Sequence, residues 1–123
     1  MDILLVEDDP TTGEAILGML EALGHGVTWA RDGHEALACV AQDPALSVIL
    51  TDILMPGMDG LEAIQALRTR GFLGRIIAMT AQHDMPYLRA ARLLGATGVL
   101  HKPFRLADLA RVLGEGGSTG EGR

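Results

Sequence analysis

The stretch VILTDILMPGMDG, residues 48–60, decides the fold class of this chain. A continuous apolar run, Val48 to Leu50, leads into a carboxylate, Asp52, and then into a turn that contains proline and glycine. Apolar runs without alternation are typical of strands buried on both faces of a parallel sheet. An acid that ends such a strand either caps the next element or takes part in chemistry. The other strand ends of the chain distinguish these two explanations.

The same pairing of a short apolar run with an amphipathic segment recurs along the chain. Further strands are predicted at residues 3–6, 27–30, 76–79 and 99–100. Helices are predicted after each strand, and they begin near Pro10, Gly33, Asp59, Met85 and Leu106. Five successive β-α units indicate a doubly wound α/β domain. The expected architecture is flavodoxin-like: a five-stranded parallel sheet of order 2-1-3-4-5 with helices on both faces.

Composition limits the classes of function. The chain has 123 residues, a formal net charge of −6 and a single cysteine. The negative charge argues against nonspecific binding to nucleic acid or to an anionic membrane surface, and one cysteine excludes an intrachain disulfide. No signal peptide is recognised, and no apolar run approaches the roughly 18 residues that a membrane span requires. We therefore expect a cytoplasmic protein that contacts neither nucleic acid nor membrane directly.

The end of the sequence differs in composition from the rest. Residues 114–123, GEGGSTGEGR, are glycine-rich and polar and are expected to form a flexible tail, so the domain is expected to comprise residues 1–113. If the chain is complete, the domain stands alone. If it is excised, it belongs to a larger protein; Met1 directly before the first strand favours a natural start or a position at the N-terminus of that protein.

Acidic side chains follow two strands that should be neighbours. Open α/β sheets bind ligands beyond the carboxyl ends of their strands, at a switch point that lies here between strands one and three. Glu7, Asp8 and Asp9 follow the first strand, and Asp52 ends the third. A single such acid is ordinarily a solvated loop residue, but two clusters at buried strand ends indicate a shared pocket. Crowded carboxylates repel one another, and Mg²⁺, which prefers hard oxygen ligands, relieves that repulsion.

Two further polar side chains are expected at the same edge. Thr80 ends the fourth strand and Lys102 follows the fifth. A carboxylate can attack phosphorus, cations neutralise the phosphoryl oxygens, and a hydroxyl donates a hydrogen bond to one of them. Each residue alone has an ordinary explanation, as a strand-end hydroxyl or a solvated lysine. Together, at the expected strand ends, they predict a site for phosphoryl transfer.

Four stretches, ILLVEDDP, VILTDILMPGMDG, IIAMTA and VLHKPF, resemble the receiver domain of two-component response regulators over about residues 2–113. The resemblance implies that Asp52 is the phosphoacceptor. It also implies a set of ligands for Mg²⁺: the carboxylates of Asp8 and Asp52, the backbone carbonyl of Leu54 and, through water, Glu7.

The resemblance extends to the groups that contact the phosphoryl oxygens. Thr80 and Lys102 would do so through their side chains, and a backbone amide near Ala81 would assist. The bond between Lys102 and Pro103 would be the cis peptide of the family.

One position departs from the family pattern. Val99, three residues before Lys102, stands where the family usually has an aromatic residue that moves inward with Thr80 on activation. Because valine has no ring, the usual switch is in question. His101 is expected on the same side of the strand and is the alternative, with an ordinary surface histidine as the simpler explanation. Trp29, on the second strand, is assigned to packing.

The resemblance implies a signalling phosphoacceptor and not a turnover enzyme. The phosphoryl donor would be a histidine kinase or a histidine phosphotransfer protein, and the domain would catalyse its own phosphorylation and dephosphorylation. A downstream protein target would read the result. The resemblance also implies that the domain is either a stand-alone receiver or a part of a hybrid kinase or of a transcription factor. In the family the fourth helix, fifth strand and last helix form a signalling and dimer surface, so a monomer or a weak dimer through that face is expected.

Three other classes share some of these features. A metal-dependent phosphohydrolase with an aspartyl nucleophile usually has a second acid two residues on, where this chain has Leu54. A flavodoxin-like flavin binder requires a hydroxyl- and glycine-rich phosphate loop after the first strand, where this chain has acids. A degenerate receiver that acts only by binding would lack part of the site, whereas Asp52, Thr80 and Lys102 are all present.

Overall fold

The computed structural model describes residues 1–53, 59–80 and 85–115, in which strands and helices alternate. In chain order the elements are β1 (Asp2–Val6), α1 (Pro10–Ala22), β2 (Gly26–Ala30), α2 (Gly33–Gln42), β3 (Val48–Asp52), α3 (Gly60–Thr69), β4 (Arg75–Thr80), α4 (Met85–Leu94), β5 (Gly98–His101) and α5 (Leu106–Glu115). The strands pair in parallel in the order β2-β1-β3-β4-β5. The predicted fold class and strand order are therefore confirmed.

The sheet carries one apolar layer on each face because adjacent residues of a strand point to opposite sides. Leu4 of β1 and Ile49 of β3 lie in a layer that buries α2, α3 and α4. Ile3 and Leu50 lie in the opposite layer, against α1 and α5. The strands β1, β3 and β4 are buried almost throughout, whereas β2 alternates between exposed and more buried residues and is an edge strand of the sheet.

Aspartates begin the first three helices. Asp9, Asp32 and Asp59 are the N-caps of α1, α2 and α3, and each carboxylate accepts a hydrogen bond from the backbone amide three residues on. Such caps satisfy amides that have no partner inside the helix. Helix α1 starts directly after the acidic residues that follow β1, so its cap, Asp9, is itself the last of those acids. Gly24, with φ of 91°, follows the C-cap of α1, where glycine adopts the left-handed conformation without strain.

The last helix extends beyond the expected domain boundary. Helix α5 ends at Glu115, two residues after Leu113, and the remainder of the expected tail lies outside the described residues. Leu54 and Ala81, whose backbone groups the resemblance assigned to the site, also lie outside them. None of the described helices has both the length and the apolar character needed to cross a bilayer.

Arg68 joins three segments near the amino-terminal ends of strands β4 and β5, at the end of the sheet opposite the acids. Its Nη1 donates to the carbonyls of Phe72 and Gly74, each at 2.8 Å. Its Nε and Nη2 donate to the carbonyl of Gly95, at 3.1 and 2.8 Å. Burial lowers the pKa of the Arg68 guanidinium from its ordinary value. One side chain thus ties the end of α3 to the entry of β4 and to the turn after α4.

Replacing this arginine should destabilise the fold. Arg68→Met leaves three carbonyls without their donor, so we expect the free energy of unfolding to fall by roughly 1–3 kcal/mol. Urea denaturation followed by circular dichroism measures the change. Arg70→Met, which removes an exposed arginine two residues away, is the matched control and should leave the midpoint near wild type. Equal midpoints for both variants would contradict the assigned role of Arg68.

Candidate functional site

The acids at the two neighbouring strand ends meet in one pocket. Strands β1 and β3 pair with Val6 opposite Thr51, so the residues that follow them lie at the same edge of the sheet. Carboxylate oxygens of Glu7, Asp8 and Asp52 all lie within 4.8 Å of one another. Glu7 is buried, and Asp52 is 9% exposed. The structure therefore brings together three of the four acids that the sequence placed there. Asp9 instead caps helix α1, where its carboxylate accepts a hydrogen bond from the Thr12 amide.

Backbone contacts hold Asp52 in place. Its strand pairs with β4 through Met79, and the Ile53 amide extends that pairing by donating to the Met79 carbonyl at 3.0 Å. The Thr51 hydroxyl donates to the Asp52 carbonyl at 2.9 Å. Gly60 packs on this backbone so closely that a Cβ there would lie 2.2 Å from the Asp52 carbonyl oxygen. The glycine after the Asp59 cap is therefore required by close approach, and the carboxylate stands on a rigid support.

Lys102 reaches the acids from the far side of the pocket. Its Nζ lies 2.5 Å from Glu7 Oε1 and 3.2 Å from Asp52 Oδ2. Its backbone amide donates to the Thr80 carbonyl at 2.8 Å. The peptide bond between Lys102 and Pro103 is cis, as the resemblance implied. The lysine thus links the ends of β1, β3 and β4 from its position after β5.

Burial and charge shift the ionisation of the pair. Burial raises the pKa of the Glu7 carboxyl above its ordinary value, although the hydrogen bond from Lys102 acts in the opposite direction. Burial alone would lower the pKa of the Lys102 ammonium, but its hydrogen bond to Glu7 and the charge of Asp52 outweigh that effect and raise it. The lysine therefore carries its charge at neutral pH, and one ammonium faces three carboxylates.

The donor set fits a magnesium ion. Mg²⁺ takes hard oxygen ligands, usually one or two protein carboxylates, and keeps several waters. Asp8 and Asp52 supply carboxylate oxygens at suitable spacing. The Oε2 atom of Glu7 accepts from the Asp9 amide at 3.2 Å and its Oε1 atom from Lys102, so this carboxylate is anchored by protein groups on both oxygens. That anchoring fits a role for Glu7 behind the direct ligands.

Thr80 and the two residues proposed for the switch lie on adjacent strands. Thr80 is buried at the end of β4, in register with His101 of β5. Val99 is half-buried and packs against the core, whereas His101 is exposed. Both line an open hollow of about 370 Å³ together with Leu88, Arg89 and Arg92 of α4. Val99 and His101 therefore lie on the same side of β5, as strand alternation predicted.

One residue near the site has a contact that the sequence did not predict. Trp29, assigned to packing, also donates from its indole Nε1 to the backbone carbonyl of Glu7 at 2.9 Å. Residue spacing gives no hint of this bond because it joins two strands that are adjacent only in the folded sheet. The pairing of Glu7 with Lys102 was missed for the same reason: it spans 95 positions of the sequence.

Comparisons with known proteins agree with this geometry. The family model described as the response regulator receiver domain matches residues 3–113. The response regulator MprA of Mycolicibacterium vanbaalenii is 38% identical over 107 residues, which are 87% of this chain and 46% of that protein. The sensor histidine kinase AruS of Pseudomonas aeruginosa is 39% identical over 123 residues, which are 97% of this chain and 12% of the kinase. The chain spans less than half the length of either relative.

Solved structures show the same fold at similar identity. The receiver domain of the sensor histidine kinase PA1611 from Pseudomonas aeruginosa has a TM-score of 0.85 and 34% identity, covering 93% of this chain and 94% of that one. It was solved with a magnesium ion coordinated in its active-site cleft. The chemotaxis protein CheY4 of Vibrio cholerae has a TM-score of 0.85 and 31% identity, covering 91% of this chain and 94% of that one.

Removing one of the crowded charges should stabilise the chain when no divalent metal is present. In Asp8→Asn one of three neighbouring carboxylates becomes neutral, so we expect the free energy of unfolding in EDTA to rise by about 1 kcal/mol. Mg²⁺ should stabilise the wild type, because it binds only the folded pocket, and should have little effect on the variant. Urea denaturation with and without Mg²⁺ measures both effects.

The matched control is Glu14→Gln, which removes an exposed carboxylate from α1. This control should keep the full response to Mg²⁺. An Asp8→Asn variant that is less stable than wild type in EDTA would show that the pocket is not strained by charge repulsion. A variant that Mg²⁺ stabilises as much as the wild type would show that Asp8 does not hold the metal.

Proposed function

This chain belongs to the response regulator receiver domain family, and we propose that Asp52 is its phosphoacceptor. The observation that carries the proposal is the position of Asp52: at a rigid strand end, beside two other carboxylates, and 3.2 Å from the Lys102 ammonium. The proposed receiver unit comprises residues 1–113, with residues 114–123 as a tail after it.

The proposed reaction is transfer of a phosphoryl group from a phosphohistidine. A carboxylate oxygen of Asp52 forms a bond to phosphorus, the phosphorus–nitrogen bond breaks, and its electron pair leaves with the imidazole. The carboxylates of Asp8 and Asp52, with Glu7 behind them and the Leu54 carbonyl as a further ligand, would hold Mg²⁺, which would supply positive charge to the phosphoryl oxygens. Such transfer depends on positioning and on stabilising charge that develops on those oxygens.

Three groups of this chain would complete the transfer. Lys102 would exchange its contact with Asp52 for one with a phosphoryl oxygen, and the Thr80 hydroxyl would donate to another. A backbone amide at Ala81 has the same role in the proposal. Dephosphorylation would follow the same geometry: water forms a bond to phosphorus and the bond to the Asp52 oxygen breaks, with no second enzyme required.

The proposed partners are a histidine kinase or a histidine phosphotransfer protein as donor, and a downstream protein as target. The identity to a response regulator and to a sensor histidine kinase supports this class of partner. For the target, and for a weak dimer, we propose the face formed by α4, β5 and α5, on which Arg89 and Arg92 are exposed beside His101. A cytoplasmic location is part of the proposal, and family membership is its support.

Phosphorylation of Asp52 can be tested by intact-protein mass spectrometry. After incubation with acetyl phosphate and Mg²⁺, we expect the wild type to gain one phosphoryl group, because the carboxylate is the nucleophile. The adduct should be absent in Asp52→Asn and absent when EDTA replaces Mg²⁺. If the wild type gains nothing, binding of trifluoroberyllate distinguishes a short-lived adduct from an inactive site; a wild type that neither labels nor binds it would refute the proposal.

Removal of the ammonium should separate catalysis from metal binding. In Lys102→Met we expect the labelling rate at saturating Mg²⁺ to fall about a hundredfold, since one stabilising charge on the phosphoryl oxygens is lost. Mg²⁺ affinity should be retained or increased because the competing cation is gone. Arg105→Met, which removes a nearby exposed cation, should label like wild type. Loss of Mg²⁺ binding in the Lys102 variant would instead indicate a structural role.

A further inference from the structure

The backbone of Glu7 is held by the edge strand through two bonds of different kinds. Regular pairing of β1 with β2 ends at Val6 and Ala30. One residue later, the Glu7 amide donates to the Ala30 carbonyl at 3.0 Å. The Glu7 carbonyl then accepts from the indole of Trp29 at 2.9 Å. A side chain of β2 thus takes over where regular strand pairing stops, at the first residue of the acidic segment.

The same ring also contacts the first turn of α1. A Cβ built on Gly13 would lie 2.0 Å from Cζ2 of Trp29, so the buried glycine lets the helix pack directly on the indole. Gly13 in turn donates from its amide to the Asp9 carbonyl at 2.8 Å. The position of the ring therefore sets how closely the start of α1 approaches β2.

Trp29 thus contacts the first residue of the segment that carries the metal-site acids, and it reaches the other end of that segment through Gly13, whose amide bonds to the Asp9 carbonyl. Glu7 begins that segment and Asp9, the N-cap of α1, ends it, with Asp8 between them. The guanidinium of Arg31 lies 4.6 Å from the ring centroid and adds a cation–π contact. The indole is half-buried and has its polar atom satisfied, as a rigid structural support requires.

We propose that Trp29 is a positioning residue for the divalent-metal site: its indole fixes the backbone on both sides of Asp8 and so aligns that carboxylate with Asp52. This inference rests on the proposed function, since it concerns the same metal. Replacing a group that orients a metal ligand from outside the ligand shell commonly lowers metal affinity by about 10- to 100-fold. The bond to a carbonyl matters here because rotation of the Glu7 peptide would redirect the side chain that follows.

The decisive variant keeps the ring and removes the donor. Trp29→Phe retains aromatic packing on Gly13 but leaves the Glu7 carbonyl without the indole N–H. We expect Mg²⁺ affinity, measured by isothermal titration calorimetry, to weaken about tenfold. The labelling rate with acetyl phosphate should return near the wild-type value at saturating Mg²⁺, because Asp52, Lys102 and Thr80 are unchanged. A general loss of structure would lower that limiting rate as well.

The matched control is Val27→Ala, two residues earlier on the same face of β2. Val27 packs in the same apolar layer as Trp29 but lies opposite Ile3, far from the acids. This control should lose stability while keeping wild-type Mg²⁺ affinity. If Trp29→Phe binds Mg²⁺ as tightly as wild type, or if Val27→Ala weakens binding equally, the positioning role is refuted.

A second measurement needs no substitution. Trp29 is the only tryptophan of the chain, so its indole N–H gives a single, readily assigned NMR resonance. That resonance should shift on Mg²⁺ titration with the same midpoint as calorimetry. An indole signal that does not move while Mg²⁺ binds would overturn the inference and leave the proposed function intact. A wild type that binds no Mg²⁺ and is not labelled would instead refute the proposed function.

Discussion

Repulsion among carboxylates is the constraint on which the rest of this structure depends. Three acids have oxygen atoms within 4.8 Å of one another at the edge of a buried sheet, where water screens their charges poorly. Among the described residues, the ammonium of Lys102 opposes them directly, through Glu7 and Asp52. That ammonium contacts two of the three carboxyl groups, and within the described part of the chain no ion pair joins it to Asp8. The pocket is therefore suited to a cation that enters and to an electrophile that needs a nucleophilic carboxylate.

The fold tolerates this repulsion because the burial of its apolar strands offsets the cost. The strands that end in acids, β1 and β3, are apolar and buried, and helices cover both of their faces. Two contacts hold the acids in place. The Asp9 amide donates a hydrogen bond to the Glu7 carboxylate, and Gly60 packs closely on the Asp52 backbone. Hydrophobic burial thus supplies the stability, and the backbone contacts at the strand ends prevent the acids from separating.

Much of this arrangement could be predicted from the sequence because it depends on interactions between residues that are close in the chain. Each strand and helix is specified by neighbouring residues, such as the run from Val48 to Leu50 and the Asp59 cap, and parallel topology then assembles the strand ends. The contacts that could not be predicted join residues that are far apart in sequence and meet only across the folded sheet. The pairing of Glu7 with Lys102 and the bond from Trp29 require the exact register of strands far apart in sequence. The sequence indicated which residues meet, but not which atoms bond.

The absence of a ring at Val99 changes how the site and the α4-β5-α5 face can communicate. Thr80 and Lys102, the two side chains proposed to contact the phosphoryl group, are joined by a backbone hydrogen bond of 2.8 Å from the lysine amide to the threonine carbonyl. Thr80 is also in register with His101, which shares an exposed hollow with Val99. A movement of Thr80 toward a phosphoryl oxygen would therefore pull on β5 through its backbone. Under the proposed function, the signal would then reach the surface as a displacement of the strand, without an aromatic side chain to carry it.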